Sequence, residues 1–321
     1  LYNYWRRMEL ITIVRNNRLG DGLQNVRFTQ ANALFNELVL SIYRRVRETF
    51  MGKQFRVHRE YIAGANAGLT LNDGNWNCPI EYNGISSVPF ISSIIFHPPL
   101  ITYTKRNTRD GFFEEAKIHP LQGMLLDDSV WFVYPAWVGN LLAFVYVHKD
   151  FIDHGLGLAN LFELATESDY IGKKPDMIYI FGYPDGHEEK RTFYHKDKKN
   201  DILIGYANYT DEVDYFGYMK KMLLTLHNIK QMERGCLPVH GAMVNVALKN
   251  GKQANIVIMG DSGAGKSESL EAFRTLNEKF IRHMRVIFDD MGYLKEDGGV
   301  IKGYGNEIGA FVRTDDLDPS Y

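Results

Sequence analysis

The chain has 321 residues, a formal net charge of −2 from 37 Lys+Arg against 39 Asp+Glu, and 45% hydrophobic residues. That length and composition suit one large or two smaller buried cores and exclude wholesale disorder. The near-neutral balance, with both signs interspersed, gives no electrostatic footprint for nucleic acid. Two cysteines, Cys78 and Cys236, build no disulfide framework, and the expected setting is reducing and cytoplasmic. The most apolar stretch, Ser86 to Thr104, is broken by Pro89, Pro98 and Pro99. No membrane or nucleic-acid partner is expected. The start at Leu1 and the end at Tyr321, inside a patterned region, read as a fragment of a longer protein.

In chain order, Ala31, Leu34, Phe35, Leu38, Ile42 and Val46 recur at helical spacing after Thr29 as N-cap, which predicts a helix over 30–47 with a packing face. From about 55 to 205 short strands alternate with turns. Ile178 to Phe181, the turn Pro184-Asp185-Gly186 and Arg191 to Tyr194 predict a hairpin, and the charge-dense stretch His187 to Asp201 a solvated loop.

A second organisation begins near 210. Thr210 is the expected N-cap of a helix with Asp211, Glu212 and Asp214 in its first turn, running to about Gln231, before Gly235 and Pro238. An apolar run from His240 to Leu248, the turn Asn250-Gly251 and a return strand Ala254 to Met259 predict a second hairpin.

That strand leads into Gly260-Asp261-Ser262-Gly263-Ala264-Gly265-Lys266-Ser267, a G-x-x-x-x-G-K-[ST] phosphate loop. Glycines let successive backbone N–H groups turn inward around an anion at a helix N-terminus. Lys266 reaches the β- and γ-phosphates and Ser267 a nucleotide-bound Mg²⁺. Glu268 to Leu276 reads as the following helix. The apolar run Met284 to Phe288 then ends in Asp289-Asp290. Adjacent carboxylates need a cation or a proton between them, so one is expected to serve Mg²⁺ and the other to accept a proton from, or orient, the attacking group. Tyr293 to Lys295 and Val300 to Lys302 flank Asp297-Gly298-Gly299 as a further hairpin, so a mixed sheet is expected around the loop.

Leu237-Pro238-Val239-His240-Gly241, the phosphate loop and Asp289-Asp290 together resemble the phosphoenolpyruvate carboxykinase and HPr kinase/phosphorylase superfamily. Tyr215-Phe216-Gly217-Tyr218-Met219-Lys220-Lys221 resembles the Tyr-Gly-Gly-Glu-Met-Lys-Lys segment of ATP-dependent carboxykinases. The similarity covers residues 205 to 321. It implies an α/β (mixed α+β), carboxykinase-like fold, with an N-terminal α/β domain over 1–204 and a P-loop domain with a mixed sheet over 205–321, truncated at its C-terminus. It further implies Mn²⁺ ligation by Lys221, His240 and Asp290, contact of Lys220 with the transferred phosphoryl group, Tyr215 at the substrate, and Ser267 and Asp289 on Mg²⁺. Glu307 and Arg313 resemble positions of the family's Phe-Glu-Gly-Gly-x-Tyr-Ala-Lys segment. No arginine here is followed two residues later by proline, the context in which carboxykinases bind oxaloacetate, and Met291-Gly292-Tyr293 replaces the usual Glu-His-Gly-Trp continuation. The expected function is ATP- and metal-dependent phosphoryl transfer to a small carboxylate-bearing acceptor. An HPr-kinase-like serine kinase acting on a protein serine and a non-catalytic nucleotide-binding module are the alternatives.

Overall fold

The computed structural model of the chain describes residues 11–15, single helical positions between 34 and 49, and residues 67–96, 102, 104–109, 112–184, 192–260, 269–270 and 280–309. The phosphate-loop residues Asp261 to Ser267, most of the helix expected after them, residues 185–190 with most of the expected turn Pro184-Asp185-Gly186, and Arg313 lie outside the described residues.

The fold is mixed α+β. Among the described residues ten strands form the first sheet: β1 (Ile11–Arg15), β2 (Ala67–Asn72), β3 (Phe90–Phe96), β4 (Glu114–Glu115), β5 (Trp131–Val138), β6 (Leu141–His148), β7 (Glu163–Leu164), β8 (Met177–Tyr183), β9 (Thr192–Asp197) and β10 (Ile202–Asn208). Their order is β1-β2-β3-β5-β6-β8-β10-β9-β4, with β7 on β5, and parallel and antiparallel pairs mix. Side chains alternate across a strand, and here both faces are covered. Tyr134, Val145, Tyr179 and Leu203 point into one core; Val133, Phe144, Ile178 and Tyr206 point into another. This double burial accounts for the nearly continuous apolar runs of β5, β6 and β8.

Helices α1 (Ile152–Gly157), α2 (Glu167–Tyr170) and α3 (Phe216–Glu233) follow the chain. Phe216, Met219, Leu223 and Leu226 of α3 belong to the first core, with Leu156 of α1. The second sheet is built from β11 (Leu237–Leu248), β12 (Gln253–Met259), β13 (Ile281–Asp297) and β14 (Val300–Gly305), in the order β12-β11-β13-β14. α3 packs against β8 and β10 of the first sheet and β11 and β13 of the second, which is why it is buried on most of its circumference. Met291 of β13 reaches across and packs on the first core.

Several expectations are corrected. The stretches around 178–181 and 191–194 do not pair as a hairpin: β10 lies between β8 and β9. β10 is buried at every position while β9 is only half buried, so β10 takes the inner place. The stretch expected as a solvated loop over 187–201 contains β9. Its buried Asp197 accepts hydrogen bonds from Tyr82 Oη, from Asn200 Nδ2 at 2.7 Å and from the Lys199 N–H at 2.9 Å. The helix expected from Thr210 starts later. Residues Asp211–Val213 form a 3-10 turn, and the α-helix begins at Phe216 after Tyr215. Asp214 accepts instead from the Lys105 N–H at 3.2 Å and lies 2.9 Å from His154 Nε2. The second sheet is antiparallel throughout its described strands, where a mixed sheet was expected. Leu34, Phe35, Leu38, Ile42 and Val46 are helical but exposed, so the expected packing face carries no cover among the described residues. β10 runs across the expected boundary at 204/205, and the second sheet starts at Leu237.

Other elements follow the sequence closely. Asn250-Gly251 closes the β11–β12 hairpin with Gly251 at φ +87, and Gly298-Gly299 closes β13–β14 with both glycines at positive φ. The two consecutive positive φ values at Gly298-Gly299 are those of a two-residue hairpin turn that follows the strand twist, whereas the β11–β12 loop is longer and uses one positive φ, at Gly251. Cys78 and Cys236 are free thiols, and burial pushes Cys78 up to about 12. Among the described residues no helix is long and apolar enough to cross a membrane.

Candidate functional site

The site forms where α3 passes between the two sheets. Its second turn carries Lys220 and Lys221. Lys220 is buried at 7% exposure, an uncommon state for a lysine unless it is paired. Its Nζ donates to Asp290 Oδ2 at 2.8 Å and lies 2.9 Å from Glu307 Oε1. The second contact is a buried salt bridge. Lys221 is half exposed and its Nζ stands 3.5 Å from the same Asp290 Oδ2. From β11, His240 brings Nε2 to 3.2 Å from Asp290 Oδ1.

Asp290 is therefore the centre of the group, and the backbone beneath it is unusual. The acid pair was expected at a strand end, but β13 continues through it for 17 residues, because pairing with β11 extends to Leu237 opposite Leu294. The ladder slips between Met243 and Val244, leaving Ile287 unpaired just ahead of the pair; such a bulge bends a strand and re-aims its side chains. Asp290 itself has φ +85, a region that costs an L-residue about 1–2 kcal/mol and that aspartate tolerates better than most. Asp289 sits opposite Ala242 and is exposed.

Burial works against the charge on Asp290, but Lys220 and then Lys221 and His240 outweigh it and hold the carboxyl at about 2. Burial alone would lower Lys220; Glu307 and Asp290 overcome it and keep the ammonium above its usual range. Burial pushes Glu307 up, and Lys220 offsets this only in part. Glu307 is thus the weaker acid of the two carboxylates that flank one ammonium.

The strands also relate this group to the phosphate loop. Met259, Gly241 and Asp290 lie in one row across β12, β11 and β13. With neighbouring strands about 4.8 Å apart, the last residue of β12 is about 10 Å from Asp290, and Gly260 follows it directly. A side chain on Gly241, at the centre of the row, would meet the Ile258 carbonyl oxygen at 2.3 Å.

Of the residues singled out in the sequence, Lys220, Lys221, His240, Asp290 and Glu307 come together. Tyr215 is the residue before α3, half buried, with its ring over Gly217. Gly260 begins the phosphate loop at the end of β12; Asp261, Ser262, Gly263, Ala264, Gly265, Lys266 and Ser267, like Arg313, are outside the described residues. Sequence reasoning missed the groups that seat Glu307. The Gly139 N–H donates to the Asn306 carbonyl at 3.2 Å and the Ile308 N–H to the Leu161 carbonyl at 2.8 Å. These are backbone groups of distant turns, which carry no local pattern. Among the described residues no cluster of three or more His, Cys, Asp or Glu could hold a metal ion, so a cation here would need Lys221 beside His240 and Asp290. No protein-family model matches the chain, and no curated protein matches it.

Proposed function

We propose that the chain is an ATP- and divalent-metal-dependent phosphotransferase of carboxykinase-like organisation, acting on a small carboxylate-bearing acceptor. The observation that carries this reading is the convergence of Lys220, Lys221 and His240 on Asp290, in the same strand row as the entry to the phosphate loop. It is supported by the sequence Gly260 to Ser267, whose order of glycines, lysine and hydroxyl suits a nucleotide triphosphate.

The donor set is one carboxylate and two nitrogens. His240 Nε2 and Asp290 Oδ1 are 3.2 Å apart, close to the roughly 3 Å edge between neighbouring ligands of an octahedral ion with bonds of about 2.1 Å. The carboxylate suits Mn²⁺, the imidazole is a general divalent-metal ligand, and Lys221, the more exposed of the two lysines, can ligate only as the neutral amine. Ser267 and Asp289 are the residues for Mg²⁺. Bound there, the cations would neutralise phosphate charge and orient the acceptor.

The chain's own residues do the rest. The N–H groups of residues 263–266 and the ammonium of Lys266 stabilise charge on the transferred oxygens, while Lys220 orients the phosphoryl group. With oxaloacetate as acceptor, loss of CO₂ breaks the carbon–carbon bond and leaves its electron pair in an enolate. The enolate oxygen attacks the γ-phosphorus, the bond to ADP breaks, and the products are phosphoenolpyruvate, CO₂ and ADP. The test is ATP-dependent CO₂ release from oxaloacetate with Mn²⁺. Release that requires both ATP and Mn²⁺ supports the reading, and its absence across small carboxylate acceptors removes it.

A further inference from the structure

β14 ends at Gly305, and the chain does not leave the molecule there. Residues 306–309 run onto the turns of the first sheet. The Gly139 N–H, in the β5–β6 turn, donates to the Asn306 carbonyl at 3.2 Å, and two residues on the Ile308 N–H donates to the Leu161 carbonyl at 2.8 Å. Gly309 then passes so close to the first sheet's turn that a Cβ on it would meet the Asn160 carbonyl oxygen at 2.1 Å. Gly139 has φ +59, and a Cβ there would stand 3.0 Å from His227 Nε2 and 3.4 Å from Asn306 Cβ. Both glycines let two backbones approach where a side chain would hold them apart.

Between these anchors lies Glu307, whose side chain is only 4% exposed. Among the described residues its close polar partner is Lys220 Nζ, 2.9 Å from Oε1. A buried carboxylate held by a single ionic partner is costly. Its position is set by the backbone anchors on either side, and its partner Lys220 also bonds Asp290.

We propose that residues 306–309 form a strap that fastens the second sheet to the first and carries Glu307 as a positioning residue for Lys220. Asp290 pulls the Lys220 ammonium from the second sheet and Glu307 pulls it from the strap, so the nitrogen is held from two sides. The catalytic relevance of that hold rests on the phosphotransferase reading; the strap itself does not.

The test uses the full chain with Glu307→Gln, which keeps the shape and removes the charge, and Gly309→Val, which displaces the strap. Two readouts are independent of turnover: acetylation of Lys220 against Lys221 by an amine-reactive reagent, followed by mass spectrometry, and hydrogen exchange of the Ile308 amide. In Glu307→Gln, Lys220 acetylation should rise about tenfold with Ile308 exchange unchanged; in Gly309→Val both should rise about tenfold or more. Lys220 labelling within about twofold of wild type in the folded variants would overturn the strap's hold on it. If Gly309→Val does not fold, Glu307→Gln alone decides. In turnover, Glu307→Gln should lower kcat about tenfold with the KM for ATP within about twofold; an unchanged kcat with Lys220 exposed overturns the positioning role. A wild-type chain that does not bind ATP removes the phosphotransferase reading, and the labelling experiment still decides the strap.

Discussion

The Lys220 ammonium and Asp290 Oδ2 stand 2.8 Å apart although 70 residues separate them in the chain. One is fixed by a helix in the first core, the other by a strand of the second sheet. Their meeting reports the register of the whole second sheet, since a one-residue slip of β13 would turn Asp290 away.

Replacing Lys220 by methionine leaves Asp290 and Glu307 facing each other without the cation between them. Breaking a buried ion pair from one side costs about 3–5 kcal/mol, and Asp290's partial exposure puts the expected loss at the lower end. Adding Glu307→Gln removes one stranded charge and should return part of it. Denaturant midpoints of the two single variants and the double measure the coupling, and additive losses would mean that the two residues do not interact.

Asp290→Asn keeps a residue type that accepts positive φ while removing the charge. Affinity for Mn²⁺, read from the electron paramagnetic resonance of the free ion, should fall at least about tenfold. Unchanged affinity would move the metal away from Asp290.

Lys266→Ala should weaken ATP binding under every nucleotide-binding reading, so it tests the loop and not the reaction. Lys221→Ala separates the reactions: ATP binding stays while Mn²⁺-dependent transfer drops by about 100-fold or more. A serine kinase or a non-catalytic nucleotide module would show little change with Lys221→Ala in transfer or binding.

His227 is fully buried on α3, and burial lowers it to about 4. The unfolded chain takes up that proton near its ordinary value of about 6.5. Between those values the unfolded state binds more protons, so stability is complete above about pH 6.5 and falls as pH drops towards 4, by at most about 3 kcal/mol. His227→Gln should flatten this slope in a melting-temperature series from pH 7 to pH 4. Asp290 acts lower: its stabilisation is full above about pH 4 and is lost as pH falls through about 2. A variant that keeps the wild-type slope between pH 4 and 6.5 would assign it to another group.

What was legible in the sequence was local. Asn250-Gly251 and Gly298-Gly299 announce their hairpins because tight turns need positive φ, and the paired lysines, His240 and Asp290 were recognisable as residue types in order. The pairing of β10 between β8 and β9 was not legible, since adjacency in sequence favours a hairpin and only the deeper burial of β10 reverses it. The start of α3 was misjudged because Asp214 is a strong first-turn residue by propensity, whereas its carboxylate is committed to His154 and the Lys105 N–H. The continuous run of β13 through the acid pair is set by its long ladder with β11, a relation no single segment expresses.

Met291 has a consequence beyond the site. It follows Asp290 on β13 and lends its side chain to the first sheet's core, while α3 packs against strands of both sheets. Unfolding of the second sheet would uncover part of the first core, and loss of α3 would strip a neighbour from both sheets. Heat should therefore melt the two sheets together, with calorimetric and van't Hoff enthalpies in agreement, and two separable transitions would show that this shared packing is too small to couple them.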